Sequence, residues 1–277
     1  LYNQQAPEVV GLKDGNFAVV WQSDTDGTET YDIIARLFDR EGDAITDEII
    51  INEITLGEQT KPSIATSSSD EIVIAWQTNE TGVNEVLYQT LDFDGRLKSG
   101  NKKLSIDDNG DFVGGEDVTL TTLEDGHIVA AWDDQTGNIY AKNINENTET
   151  EINSALLTVS TAAEGASDRT SIAALPLGGF VSVWHEGGGK DGDGQGVFGR
   201  IIDENYNRSG EEFLINTLTT SHQSKAFVAS LSDGTFMVVW SGGDGSSQGQ
   251  VFSSSAVKIG EQFEIGPWFN QEAYIIG

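Results

Sequence analysis

Two loops of this 277-residue chain pair carboxylates at a spacing that suits a hard cation, Asp24-Thr25-Asp26-Gly27 and Asp191-Gly192-Asp193-Gly194. Asp-x-Asp-Gly brings two side chains and a turn within reach of one ion, and Ca²⁺ collects six to eight oxygens from such loops. Calcium held by Asp24 and Asp26, and by Asp191 and Asp193, is the expected cofactor. A solvated acidic turn is the competing reading, since neither loop completes the EF-hand pattern with its terminal Glu. It is the favoured reading in the loops with Asn79, Glu80 and Glu85, with Asp133 and Asp134, and with Asp244.

Catalytic signatures are thin. His127, His185 and His222 offer no H-x-x-x-H spacing for zinc, and no G-x-S-x-G elbow occurs. Gly187-Gly188-Gly189-Lys190 lacks the phosphate-loop spacing and the Ser or Thr that should follow. Glu186 stands just before that run. Absence of Cys excludes disulfides, Cys-ligated zinc and thiol chemistry. Forty-five acids against fifteen bases give a net charge of −30. Such a field repels nucleic acid and anionic membranes. No run of eighteen apolar residues exists to span a bilayer. Neither nucleic acid nor membrane insertion is expected. With no signal-like start and no initiator Met, the chain reads as a processed protein or a segment of something longer.

The elements that must position these loops repeat. Trp21, Trp76, Trp132, Trp184 and Trp240 recur at gaps of 55, 56, 52 and 56 residues, and the fourteen residues before each align without a gap. Such a period marks a solenoid, propeller or array. Each copy begins with a strand and turns at Asp14-Gly15, Asp125-Gly126, Gly178-Gly179 or Asp233-Gly234, while Asp70-Glu71 in copy two predicts a different turn. A second strand ending at the Trp is apolar on both faces, so it must be covered on both sides. Third strands are expected from Ile33, Val86, Ile139, Val197 and Val251, and fourth strands near Glu48, Lys103, Leu156, Glu212 and Gln262.

Four antiparallel strands per repeat, the second buried on both faces, predict an all-β fold, a β-propeller of five four-stranded blades. The blades span approximately 7–61, 62–117, 118–169, 170–225 and 226–277 of one domain, 1–277. Asn270 to Gly277 resembles the opening of another copy, so six or more blades follow if the array continues. The recurrent Trp reads as an inter-blade core residue. Propeller glycosidases place acids on the first strands of different blades. The position next to the repeat start reads Glu8, Ser63, Thr119, Ser171 and Phe227, which supplies one acid.

The repeat pattern P-x-V-x-x-L-x-D-G-x-F-V-V-x-W-Q-S, with V-x-A-R-x-F-D and G-x-E-F-x-I-N after it, is carried by residues 7–23, Ala35 to Asp39 and Gly210 to Asn216. It resembles propeller-type repeats of large secreted bacterial RTX adhesins and hemolysin-type calcium-binding proteins. The RTX nonapeptide itself is absent, so β-roll calcium binding is not implied. The resemblance implies an extracellular or cell-surface module without catalytic activity, structural or adhesive, joined to other repeats or domains of the same protein or assembly. Two alternatives stay open. One is a lectin-like propeller that binds surface glycans with loop aromatics such as Tyr31 and Trp268; the other is a propeller glycosidase or lyase. Ser23 to Thr28 approaches the Asp-box of sialidases without its closing aromatic and is set aside, as is the lone Trp132-Asp133 of WD40 type.

Overall fold

A computed structural model describes residues 3–24, 27, 30–98, 100–134, 136–144, 155–160 and 168–267. Its twenty strands form five four-stranded antiparallel sheets, the blades of a β-propeller. The first sheet runs β1 (Gln4–Gly11), β2 (Phe17–Ser23), β3 (Asp32–Phe38), β4 (Ile49–Ile50). The second runs β5 (Gln59–Thr66), β6 (Glu71–Thr78), β7 (Glu85–Asp92), β8 (Lys102–Lys103). The third runs β9 (Glu116–Thr122), β10 (Ile128–Asp133), β11 (Ile139–Ile144), β12 (Leu157–Ser160). In the fourth stand β13 (Asp168–Ala174), β14 (Phe180–Glu186), β15 (Gly196–Ile202) and β16 (Arg208–Leu214). The fifth holds β17 (Ser224–Ser230), β18 (Phe236–Ser241), β19 (Ser246–Phe252) and β20 (Lys258–Pro267). The chain divides into two compact units, residues 1–122, 126–132 and 142–147 in one, and 123–125, 133–141 and 148–277 in the other.

The second strands are buried as their sequences require. Every residue of β6, β10 and β14 is buried, and Trp76, Trp132, Trp184 and Trp240 are fully enclosed, whereas Trp21 is only half-buried. In the first unit Trp76 packs with Ala18, Val20, Ile33, Ala35 and Leu37 of the neighbouring sheet. In the second, Trp240 packs with Val181, Val183, Val197 and Ile215 of the fourth sheet. Trp76 and Trp240 are thus knobs that their blades insert into the preceding one, the inter-blade place that the repeat predicts. Trp76 also donates its indole N–H to Gln59 Oε1 at 2.9 Å, which satisfies the one polar atom it buries.

Polar staples join neighbouring first strands. Glu8 Oε2 accepts the N–H of Ile64 at 3.2 Å, Ser63 Oγ that of Leu120 at 3.1 Å, and Ser171 Oγ that of Val228 at 3.2 Å. Toward the other end, Thr122 Oγ1 donates to the carbonyl of Thr66 at 2.7 Å, and Ser230 Oγ to that of Ala174. Glu8, the one acid the repeat alignment offers for glycoside chemistry, therefore fills the structural place that Ser63 and Ser171 fill elsewhere.

Two sequence expectations need correction. The turn of copy two is not different. Asp70 takes φ 62°, in the left-handed place held by Gly15, Gly126, Gly178 and Gly234. Ser67 N–H reaches Glu71 O at 2.9 Å just as Leu231 N–H reaches Thr235 O at 2.8 Å. The third strand of copy five starts at Ser246 rather than Val251. A four-residue turn at Gly242–Gly245 brings the polar segment Ser246 to Gln250 into the ladder, with Trp240 opposite Gln248.

Two measurements test this account. Truncating Trp76 to Ala should cost about 3–5 kcal/mol in a denaturant titration, the range for emptying a large aromatic site. Replacing Asp70 by Gly should raise stability by up to about 1 kcal/mol, because Gly relieves the left-handed strain of an L-residue.

Candidate functional site

In the first unit, chemistry-bearing side chains gather at the start of the first strands. β1 and β5 each shift register there, between Gln5 and Glu8 and between Thr60 and Ser63. The residue at the bulge is left-handed, Ala6 at φ 48° and Lys61 at φ 52°, and Asp117 holds the corresponding place in β9 at φ 48°. In the first two sheets the Gln after the repeat Trp, Gln22 or Gln77, fixes this geometry. Gln22 Oε1 accepts the N–H of Lys61 at 2.9 Å, and Gln77 Oε1 that of Asp117 at 3.4 Å. A residue held left-handed without being Gly stores strain of order 1 kcal/mol, a cost that concentrates at functional sites.

The bulge turns Lys61 and Asp117 toward each other, and Nζ meets Oδ1 at 2.6 Å. Only 11% of the Asp117 side chain is exposed, against 41% for Lys61. The adjacent Glu116 accepts from Asn84 Nδ2 at 2.5 Å. Two consecutive carboxylates thus sit at one strand start, one matched by an ammonium and the other by an amide. Tyr31, a candidate sugar-stacking residue, is half-buried, and its hydroxyl lies 2.7 Å from Asn3 Nδ2 and 3.2 Å from Gln5 Nε2. Trp268 lies outside the described residues, as does the segment from Asn270 to Gly277.

Of the residues expected to hold calcium, Asp24, Asp191 and Asp193 accept hydrogen bonds from the protein itself. Asp24 is buried and accepts the N–H of Gly27 at 2.6 Å, whereas Asp26 lies outside the described residues. Asp191 Oδ2 takes the Asn216 amide at 3.0 Å, and its Oδ1 takes the N–H of Asp193 at 3.2 Å. Asp193 Oδ2 accepts the N–H of Ser221 at 3.1 Å. Among the described residues no three His, Asp or Glu side chains converge where one ion could be held.

Many other acids close turns. Asp39, Asp92, Asp107, Asp134 and Asp203 each accept, through Oδ1, the N–H groups two and four residues ahead, at 2.8–3.1 Å. At Asp134 burial works to raise the carboxyl pKa, but hydrogen bonds from Asn138 and Thr136 outweigh it and leave the value lowered.

The second unit carries a denser charged network. Glu186, at the end of β14, is only 1% exposed. Its Oε2 receives Lys190 Nζ at 2.9 Å, and its Oε1 has no hydrogen-bond partner. Lys190 also donates to Glu212 Oε2 at 2.6 Å and lies 4.7 Å from the ring centre of Phe198. Glu212 Oε1 accepts from Ser160 Oγ at 2.5 Å and pairs with the Arg200 guanidinium at 3.2 Å. Burial pushes the Glu212 carboxyl up, but the bonds from Lys190 and Ser160 win and hold it below its ordinary range. Burial likewise works against the Lys190 ammonium, and its bonds to Glu212 and Glu186 raise its pKa nonetheless.

Glu186 stood among the acids of its loop in the sequence, but nothing there distinguished it. Lys61, Glu116 and Asp117 were missed because the aligned copies begin one residue later. The signal available was the copy-to-copy change just before that start, from Ala6 to Lys61 to Asp117.

No family model and no curated protein matches the chain. Solved structures do. The NanB sialidase of Streptococcus pneumoniae matches with a TM-score of 0.66 at 10% identity, over 95% of this chain and 61% of the sialidase. The Penicillium chrysogenum α-L-arabinanase, complexed with arabinobiose, matches with a TM-score of 0.63 at 13% identity, over 95% of this chain and 81% of the enzyme. A protein of unknown function from Dyadobacter fermentans gives 0.65 at 10% identity, over 96% of this chain and 83% of its own. The chain thus spans about three-fifths of the sialidase it matches. Likeness at this identity defines the fold, a β-propeller of five four-stranded blades.

These matches overturn the RTX resemblance. The similar propellers with a stated activity are a sialidase and an arabinanase, not adhesin repeats. The expectation of a non-catalytic structural or adhesive module falls with the resemblance, and so does the expectation that the chain is no enzyme.

The charged network predicts its own pH dependence. Glu212 is held below its ordinary value of 4.5, so its stabilisation is complete above that pH and is lost as pH falls through the depressed value. Replacing Lys190 by Met strands the buried carboxylates. It should cost roughly 3 kcal/mol near neutrality, the low end for breaking a buried pair because Lys190 keeps part of its surface in water. Urea titrations from neutral pH to below pH ~4 should show the difference between Lys190→Met and wild type shrinking as the carboxylates protonate.

Proposed function

We propose that this chain hydrolyses glycosidic bonds, with Asp117 as a carboxylate at the reacting centre. The observation that carries this reading is the placement of Asp117. It is strained into the left-handed region, fixed there by Gln77, and paired with Lys61 at the start of a first strand. A carboxylate offset by an ammonium suits the base that activates water, or the nucleophile that attacks the anomeric carbon. Glu116, beside it and bonded to Asn84, is the second carboxylate such chemistry requires. The likeness to a sialidase and an arabinanase supports a carbohydrate substrate. Surface or secreted glycans are then the partner, which agrees with an extracellular or cell-surface location for an acidic chain without Cys.

Release of reducing sugar from a panel of polysaccharides and aryl glycosides tests the proposal. Asp117→Asn should lower kcat by roughly 10³-fold, within the range for removing a positioned base, while the melting temperature stays close to wild type. Absence of hydrolysis across the panel, or full activity in Asp117→Asn, would overturn it.

A further inference from the structure

Glu186 leaves a buried oxygen without a donor, and burial of that kind is costly unless something fills it. Its other oxygen is held by Lys190, which spends two of its three N–H donors on Glu186 and Glu212. A bare acceptor and a spare donor therefore lie on two directly bonded groups. That pairing matches a hydroxyl, which gives one hydrogen bond and accepts another. A cation fits worse, because Lys190 and Arg200 already balance Glu186 and Glu212. Phe198, buried beneath the ammonium, supports Lys190 from below. Arg200, 9% exposed, contributes a second buried and unpartnered atom, the donor Nε, to the same network.

We infer that Glu186 and Lys190 form a subsite for a hydroxyl of a neutral saccharide, with Glu186 Oε1 accepting from that hydroxyl and Lys190 donating to it. The inference rests on the hydrolase reading for its ligand class, and it adds a binding contact in the second unit. Entry requires residues 187–195 to lift from Glu186, carrying Lys190 with them, and to reseat so that Lys190 closes on the bound hydroxyl. Six glycines fall between positions 187 and 196, and Gly188, Gly189, Gly192 and Gly194 are left-handed, with φ of 80°, 68°, 114° and 78°. Asp191 and Asp193 fasten this loop to Asn216 and Ser221, so the second candidate calcium pair serves as its clasp.

The test is calorimetric titration of the full chain with short arabino-, xylo- and manno-oligosaccharides, alongside steady-state kinetics on whichever is hydrolysed. Glu186→Gln should weaken binding about tenfold or more, as expected for losing a hydrogen bond to a charged acceptor. Glu186→Asp, which keeps the charge and draws the carboxylate back, should weaken binding similarly and serves if the first variant does not fold. Unchanged affinity in either folded variant, or no binding of any probe by wild type, would overturn the subsite. Glu186-dependent binding without hydrolysis would uphold the subsite and sink the hydrolase reading. Hydrolysis together with a binding affinity indifferent to Glu186 would do the reverse.

Discussion

The structure depends on the burial of both faces of each second strand. A strand such as Ile72 to Trp76 has no polar face to offer water, so a sheet built on it is incomplete until neighbours cover it. Trp76 and Trp240 contribute to that cover by packing among residues of the preceding blade. The staples from Glu8, Ser63 and Ser171 then set the height at which one first strand meets the next. Each staple contributes only about 0.5–1.5 kcal/mol, so they determine register more than stability.

The acidic composition takes on a different meaning in this light. Asp39, Asp92, Asp107 and Asp203 spend their carboxylates on the backbone of their own turns, where they accept the N–H groups that antiparallel pairing leaves over. Much of what looks in the sequence like a reservoir of metal ligands is therefore local scaffolding. Glu186 and Glu212 differ, because their charge is matched by cations inside the protein rather than by turn amides.

The fold was legible because its determinants repeat. Trp spacing, doubly apolar strands and left-handed turn glycines recur at fixed places, and errors fell where one copy departs chemically but not geometrically. Asp70 adopts the glycine conformation, and the polar run Ser246 to Gln250 pairs as a strand because its neighbour dictates it. Function was poorly legible for the same reason. The residues that suggested adhesin repeats, such as the Asp-Gly turns and Asp39, are those that make a blade, and they are silent on what the blade does. Lys61 and Asp117 approach only because a bulge turns them, and a bulge has no sequence signature when its left-handed residue is not Gly.

That bulge has a consequence for how such a protein can change. At Lys61 and Asp117 the constraint falls on the backbone, whose N–H is gripped by a Gln of the preceding blade. The side chains are free of that grip, and here they pair with each other. Ala6, Lys61, Asp117 and Lys225 show the outcome, four left-handed residues that are apolar, basic or acidic at one kind of position. Each of these four blades thus carries one writable character in an otherwise fixed line of text. Rewriting those characters alters charge and reactivity where the first strands begin, with no new fold to be found.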